Sequence, residues 1–225
     1  MFLSPRFARH AALWARVEPV LPPGELAHDR HHLERVYRWS LRLAPEAGAD
    51  ADLSGAAALV HDLALVPKDS PQRAQGGERS AALAGAELCA AGYGEAECAA
   101  VCGAVRTSSW SRGLPPEGPL GVVLQDADRL DAIGALGLMR NLSCAQWMSR
   151  PDRPGRFYDP GDPFHESPRA LDDRRNALDH CFAKLLRLAA AMRLPSAHAE
   201  AARRHATMTA FIAALRIELG IDQGG

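Results

Sequence analysis

The chain has 225 residues, 47% of them hydrophobic and 24% charged, with a net charge of -1 at neutral pH. This is the profile of a globular protein, at the upper end of what one core can organise and equally a core plus a small appendage, without the basic excess by which proteins hold a nucleic-acid backbone. No apolar run approaches the ~20 residues of a membrane-spanning helix, so neither a nucleic-acid polymer nor a membrane is expected as a partner.

From the amino end, Met1 to Val20 mixes Arg6, Arg9 and Arg16 with apolar residues. It lacks the unbroken apolar stretch of a signal peptide and reads as a first helix opened by Ser4-Pro5, a capping serine and a proline at the first helical position. A cytoplasmic location is expected. Leu33, Val36, Tyr37, Ser40 and Leu41 repeat at three-and-four spacing, a second helix that Ala44-Pro45 closes. Asp52 or Ser54 begins a third, Gly55 to about Leu65, apolar on nearly every side and so central; Pro67 ends it. Arg79 to Ala91 and Glu95 to Arg106 read as two helices about the Gly92-Tyr93-Gly94 turn.

A Pro/Gly-rich loop, Arg112 to Pro119, leads into a helical stretch from Leu120 to Arg140 that is broken or kinked near Gly134. Ser149 to Arg169, rich in Pro, Gly, Asp and Arg, is the longest loop, and loops of that length in compact domains are usually functional or disordered. Leu171 to Arg193 and Ser196 to about Leu219 are the last helices, separated by Pro195. Gly121-Val122-Val123-Leu124 is too short to argue a sheet, so the fold class is all-α. The five cysteines, Cys89, Cys98, Cys102, Cys144 and Cys181, show no paired zinc spacing. Cys98 and Cys102 share a helix face, and all five read as small buried hydrophobes in a reducing compartment.

Chemistry is expected where histidines meet carboxylates. His28 and His32 are four apart and share a face, with His31 about 100° away. On the apolar third helix, His61-Asp62 places two polar residues where burial demands that they be paired, hydrogen-bonded or metal-bound. Farther on, Asp126, Asp128 and Asp131 follow an apolar run, and Asp128 and Asp131 straddle Arg129 in what reads as a structural network. Two imidazoles and two carboxylates from three helices suit a divalent ion with open positions, which polarises a phosphoryl group and lowers the pKa of its water. The spacing alone equally allows a satisfied core His–Asp pair beside helix-capping aspartates. Lys68 and Arg79 flank the exit of the His-Asp helix, either neutralising phosphate or as solvated surface charge. His10, His165 and His198 have no partner pattern and read as surface residues.

The ordered set His32, His61-Asp62 and Asp126 resembles the H…HD…D signature of HD-domain phosphohydrolases, and specifically one branch of small bacterial members. The phrases that carry the resemblance span most of the chain. They begin with His28-Asp29-x-x-His32-Leu33-x-Arg35-Val36, His61-Asp62-Leu63 and Gln125-Asp126-Ala127-Asp128-Arg129-Leu130-Asp131, and continue with Phe157-Tyr158-Asp159-Pro160, Leu178-Asp179-His180-Cys181-Phe182 and Arg204-His205.

The resemblance implies an HD-domain helical bundle with additional C-terminal helices, a single unit over 1–225 with its core at about 20–148 and an extension at about 170–220. It implies one divalent ion (manganese, cobalt, nickel, iron or magnesium) held by His32, His61, Asp62 and Asp126, with Asp62 also orienting the attacking water. The implied substrate is a nucleotide or other small phosphorylated metabolite, from which phosphate or pyrophosphate is released. His28 is expected to contact the leaving group or to bond Asp29 at the helix start. His180 and Lys184 are expected to contact substrate or brace the interior, and Lys68 and Arg79 to meet its phosphates. Ser70 and Ser108 stand where relatives carry histidine, which points to one metal rather than two. The same departures leave a second reading, an HD-fold module that binds a phosphorylated ligand without turning it over.

Overall fold

The computed structural model describes residues 2–64, 66 and 70–221. The three-and-four spacing of apolar residues is realised as helices α1 (Ala8–Val17), α2 (Arg30–Ala47), α3 (Ala51–Val60), α4 (Gly76–Ala90), α5 (Glu95–Arg106), α6 (Gly118–Asp131) and α7 (Gly134–Met148). After a long connection come α8 (Ala177–His180), a π-helical turn over Cys181–Leu185, α9 (Leu186–Leu188) and α10 (Pro195–Glu218). Two isolated bridges are the only extended pairing among the described residues, and the fold is all-α.

Local chemistry sets the helix ends. Ser4-Pro5 does not open α1. The Ser4 amide donates instead to the Tyr37 hydroxyl, and the helix begins after Phe7. Asp29 caps α2, its carboxylate accepting from the His32 amide at 2.9 Å. Pro45 does not stop this helix, which runs on to Gly48, where a φ of 64° gives the left-handed cap that glycine adopts at little cost. Asp50, rather than Asp52 or Ser54, caps α3 by accepting from the Leu53 amide. Leu65 and Pro67, its expected end, lie outside the described residues. The break or kink expected near Gly134 is a break, α6 ending at Asp131 and α7 starting at Gly134, with φ of 81° at that glycine.

The helix expected from Leu171 begins only at Ala177, because the buried Asp179 carboxylate gathers the preceding loop. It accepts from Arg169, from the Asp172 amide and from the Asn176 side chain.

The chain forms two compact units that divide within α6, at Asp128. In the first unit, α3 is buried on every side from Ser54 to Val60 and packs against α1, α2 and α5, while α4 and α5 form an antiparallel hairpin. Leu13, Leu33, Val36, Leu43, Leu59, Leu88 and Val101 fill its core. In the second unit, α7 packs along α10, and Asp131 is buried in an ion pair with Arg140 at 2.9 Å. Arg129 reaches the Ala191 carbonyl at 3.2 Å.

His10 is a correction to the surface reading. It is fully buried, with Nδ1 2.7 Å from the Tyr37 hydroxyl and Nε2 2.9 Å from the Asp52 carbonyl. Asp52 also accepts from Arg9 and from the Tyr93 hydroxyl, so one polar network ties α1 to α2 and α3. His198 is exposed, as expected, and His165 is half-buried.

Candidate metal centre

The cap that starts α2 also sets its first functional residue. Asp29 holds the His32 amide in the first turn, and the His32 imidazole turns into the core with no exposed surface. His61 follows the last residue of α3, and its Nδ1 lies 2.9 Å from the Ala58 carbonyl. A carbonyl only accepts, so Nδ1 carries the proton and Nε2 is left with its lone pair, the arrangement by which a backbone carbonyl orients a ligand histidine. The two Nε2 atoms stand 3.2 Å apart.

Asp62 Oδ2 lies 3.4 Å from His32 Nε2 and 3.5 Å from His61 Nε2. From α6, Asp128 Oδ1 lies 3.7 Å and 3.8 Å from the same two nitrogens. The imidazoles are buried, whereas both carboxylates are about 31% exposed, so the cluster opens on its acidic side. Desolvation works against a charged Asp62, but the imidazoles of His61, His32 and His28 outweigh it and hold the carboxyl well below the usual carboxylate range.

The structure brings Asp128 Oδ1 to the imidazoles. Asp126, two residues earlier on α6, is buried with no exposed surface, as His32 is. The sequence offered three aspartates within six residues and no register to choose between them.

The donors fit a divalent ion. Ligands about 2.0–2.2 Å from a shared ion stand roughly 3.0–3.5 Å apart at tetrahedral or octahedral angles, close to the spacings seen here. His32, His61 and Asp128 present atoms that converge within 4.8 Å. Two nitrogens and two oxygens, with one side open, are a borderline-to-hard donor set.

Behind the cluster lies a residue that sequence reasoning missed. Glu25 is 6% exposed, and its carboxylate accepts from the Ala27 and His28 amides and sits 2.9 Å from His28 Nδ1. Burial pushes its carboxyl up, but the His28 contacts and the two amides dominate and bring it down to about 2. His28 therefore bonds Glu25, while Asp29 serves as the cap. The His28 ring stands edge-on to His32 at 5.8 Å. Glu25 follows Pro-Pro-Gly in an irregular segment where no periodic signal marks it.

The other expected residues are placed less directly. Arg79 is exposed and donates to the side-chain carbonyls of Gln72 and Gln75. Lys68 lies outside the described residues. His180 and Lys184 belong to the second unit, where His180 Nδ1 is 3.0 Å from Asp173. The Asp173 carboxyl is held low by that His180 bond first, against burial, with smaller help from Arg174 and Lys184. Ser108 is buried and donates to the Val105 carbonyl, and Ser70 accepts from the Gln72 amide.

Comparison with known proteins identifies the class to which this fold and cluster belong. Residues 30–133 match the HD domain family model, and this stretch contains His32, His61, Asp62 and Asp128. The chain is 32% identical over 211 residues to the uncharacterized protein YpgQ of Bacillus subtilis, covering 92% of each. The chain belongs to the HD-domain superfamily.

The crystal structure of YpgQ in complex with ADP superposes with a TM-score of 0.68 at 27% identity, over 93% of this chain and 97% of that one. A Lactobacillus plantarum protein superposes with a TM-score of 0.75 at 29% identity, over 97% and 99%. An HD-superfamily hydrolase from Bacillus thuringiensis gives 0.66 at 26% identity, over 94% and 97%. No described helix is long and apolar enough to cross a membrane.

Proposed function

We propose that this protein is a metal-dependent phosphohydrolase acting on a nucleotide or another small phosphorylated metabolite, with one divalent ion held by His32, His61, Asp62 and Asp128. The observation that carries the reading is the convergence of two buried Nε2 atoms 3.2 Å apart with two half-exposed carboxylates. A divalent ion in such a site supplies a Lewis acid for a phosphoryl oxygen and lowers the pKa of the attacking water.

The chain's own residues do the rest. The Ala58 carbonyl fixes the His61 tautomer, and the buried rings exclude water from one side of the centre. Asp62, ionised throughout the neutral range, accepts a hydrogen bond from the water and aligns it. Glu25 holds His28 Nδ1 and so orients the ring, which is proposed to meet the leaving group. Lys68 is proposed to meet phosphate oxygens, and Arg79 to do so after leaving its glutamine partners. The ADP complex of YpgQ supports a nucleotide as substrate.

The test is release of phosphate or pyrophosphate from a panel of nucleotides and sugar phosphates by protein stripped of metal and resupplied with manganese, cobalt, nickel, iron or magnesium. Turnover that requires metal and disappears in Asp62→Ala is expected; turnover retained in that variant contradicts the site. A second reading is favoured by Ser108, which offers a short hydroxyl already bonded to the backbone where the family resemblance implies an imidazole. Under it the domain binds nucleotide without hydrolysis, and the assay shows bound metal and nucleotide but no product.

A further inference from the structure

Five cysteines with no zinc spacing gave no reason to expect any two of them to meet, yet the α4–α5 hairpin brings two into contact. Cys89, at the end of α4, and Cys98, in the first turn of α5, have Sγ atoms 3.3 Å apart. Cys89 is exposed, not buried as the composition suggested, whereas Cys98 is 7% exposed. Cys102, a turn along α5, is half-buried beside Gly85, where an added Cβ would lie 3.8 Å from its Sγ. The sulfurs therefore form a short row on one hairpin, with an accessible thiol at its end and a shielded one directly behind. The turn is itself fixed: the Tyr93 amide donates to the Leu88 carbonyl, and the Gly94 amide donates to Glu97.

We propose that Cys89 and Cys98 are a thiol-modification site, oxidised to an intramolecular disulfide by small-molecule disulfides such as oxidised glutathione. The thiolate of Cys89 attacks one sulfur of the oxidant, forming a mixed disulfide and releasing one small thiol. Cys98 then loses its proton and attacks Cys89 Sγ, forming the protein disulfide and releasing the second small thiol. Two protein thiols are oxidised by two electrons, and one small disulfide is reduced to two thiols. The sulfurs need to close from 3.3 Å to the ~2.05 Å of a disulfide bond.

The two steps differ in rate for a physical reason. Cys98 donates its proton toward the Tyr93 carbonyl, and burial first, then the neighbouring Cys89, pushes its thiol up to about 11. Few molecules carry the Cys98 thiolate near neutral pH, so the second attack is slow there and quickens as pH rises. The mixed disulfide on Cys89 accumulates first.

The test treats the folded protein with oxidised glutathione, follows intact mass, and maps disulfides by peptide mass spectrometry without reduction. A glutathione adduct on Cys89 is expected first, converting to a 89–98 cross-link about tenfold faster for each pH unit between 7 and 9. Tm should rise by about 5 °C on closure of this short loop and return on reduction. Cys98→Ser should stop at the adduct, Cys89→Ser should take up no glutathione on the hairpin, and Cys102→Ser should cross-link as the wild type does. A 89–102 or 98–102 link, a disulfide between two chains through Cys89, or a stable adduct in the wild type would each overturn the assignment.

Discussion

At the scale of single residues, the centre depends on groups that fix a tautomer or a charge without themselves reaching an ion. Glu25 is the clearest. Removing its charge with Glu25→Gln keeps the shape but weakens the hold on His28 Nδ1, and hydrolysis is expected to fall 10- to 100-fold, as for other residues that support a metal site. Steady-state kinetics at saturating metal checks this. An unchanged kcat would show that His28 needs no such partner.

His10 gives the residue scale its pH dependence. Burial lowers its pKa, the charge of Arg9 adds to the lowering, and the Asp52 carbonyl and carboxylate only partly oppose. The folded state thus excludes a proton that the unfolded chain binds below about 6.5. Its contribution to stability is complete above that value and is lost as pH falls toward the folded pKa. Urea denaturation should therefore show stability declining from pH 7 to 5, with a shallower decline in His10→Gln. Equal slopes would place the titrating group elsewhere. His10 had read as a surface residue because its partners Tyr37 and Asp52 are 27 and 42 positions away, beyond any local pattern.

At the scale of elements, the helices were legible because their apolar residues recur with helical period, and α5 falls on the expected Glu95–Arg106. What was not legible is rotation about the axis. The run Asp126, Asp128, Asp131 shows that α6 carries carboxylates, yet only packing decides that Asp128 faces His32 and His61 while Asp131 meets Arg140. Proline signals also misled: Pro45 lies inside α2.

Gly55 shows what such packing demands of one element. An added Cβ would run into the His10 imidazole and lie 2.9 Å from Tyr37 Cε2. Gly55→Ala would ordinarily strengthen a helix by ~1 kcal/mol. Here overpacking is expected to dominate, with a net loss of about 1–3 kcal/mol in chemical denaturation. A stabilised variant would mean that the imidazole moves aside without cost.

At the scale of the whole molecule, the sequence carried the all-α class and the superfamily through phrases spread over most of the chain, but not the division at Asp128. Every proposed metal ligand lies in the first unit, and Asp128 is its last residue. Metal binding and turnover are separable measurements: losing a ligand abolishes both, whereas Arg79→Ala, outside the ligand set, should raise KM or lower kcat with metal binding intact.

The most direct test is manganese binding to stripped protein by equilibrium dialysis and electron paramagnetic resonance, comparing wild type, Asp128→Asn and Asp126→Asn, with circular dichroism to verify the fold. The proposed centre predicts one manganese ion per chain in the wild type and in folded Asp126→Asn, and loss of that ion in folded Asp128→Asn. Loss in Asp126→Asn with retention in Asp128→Asn would contradict it.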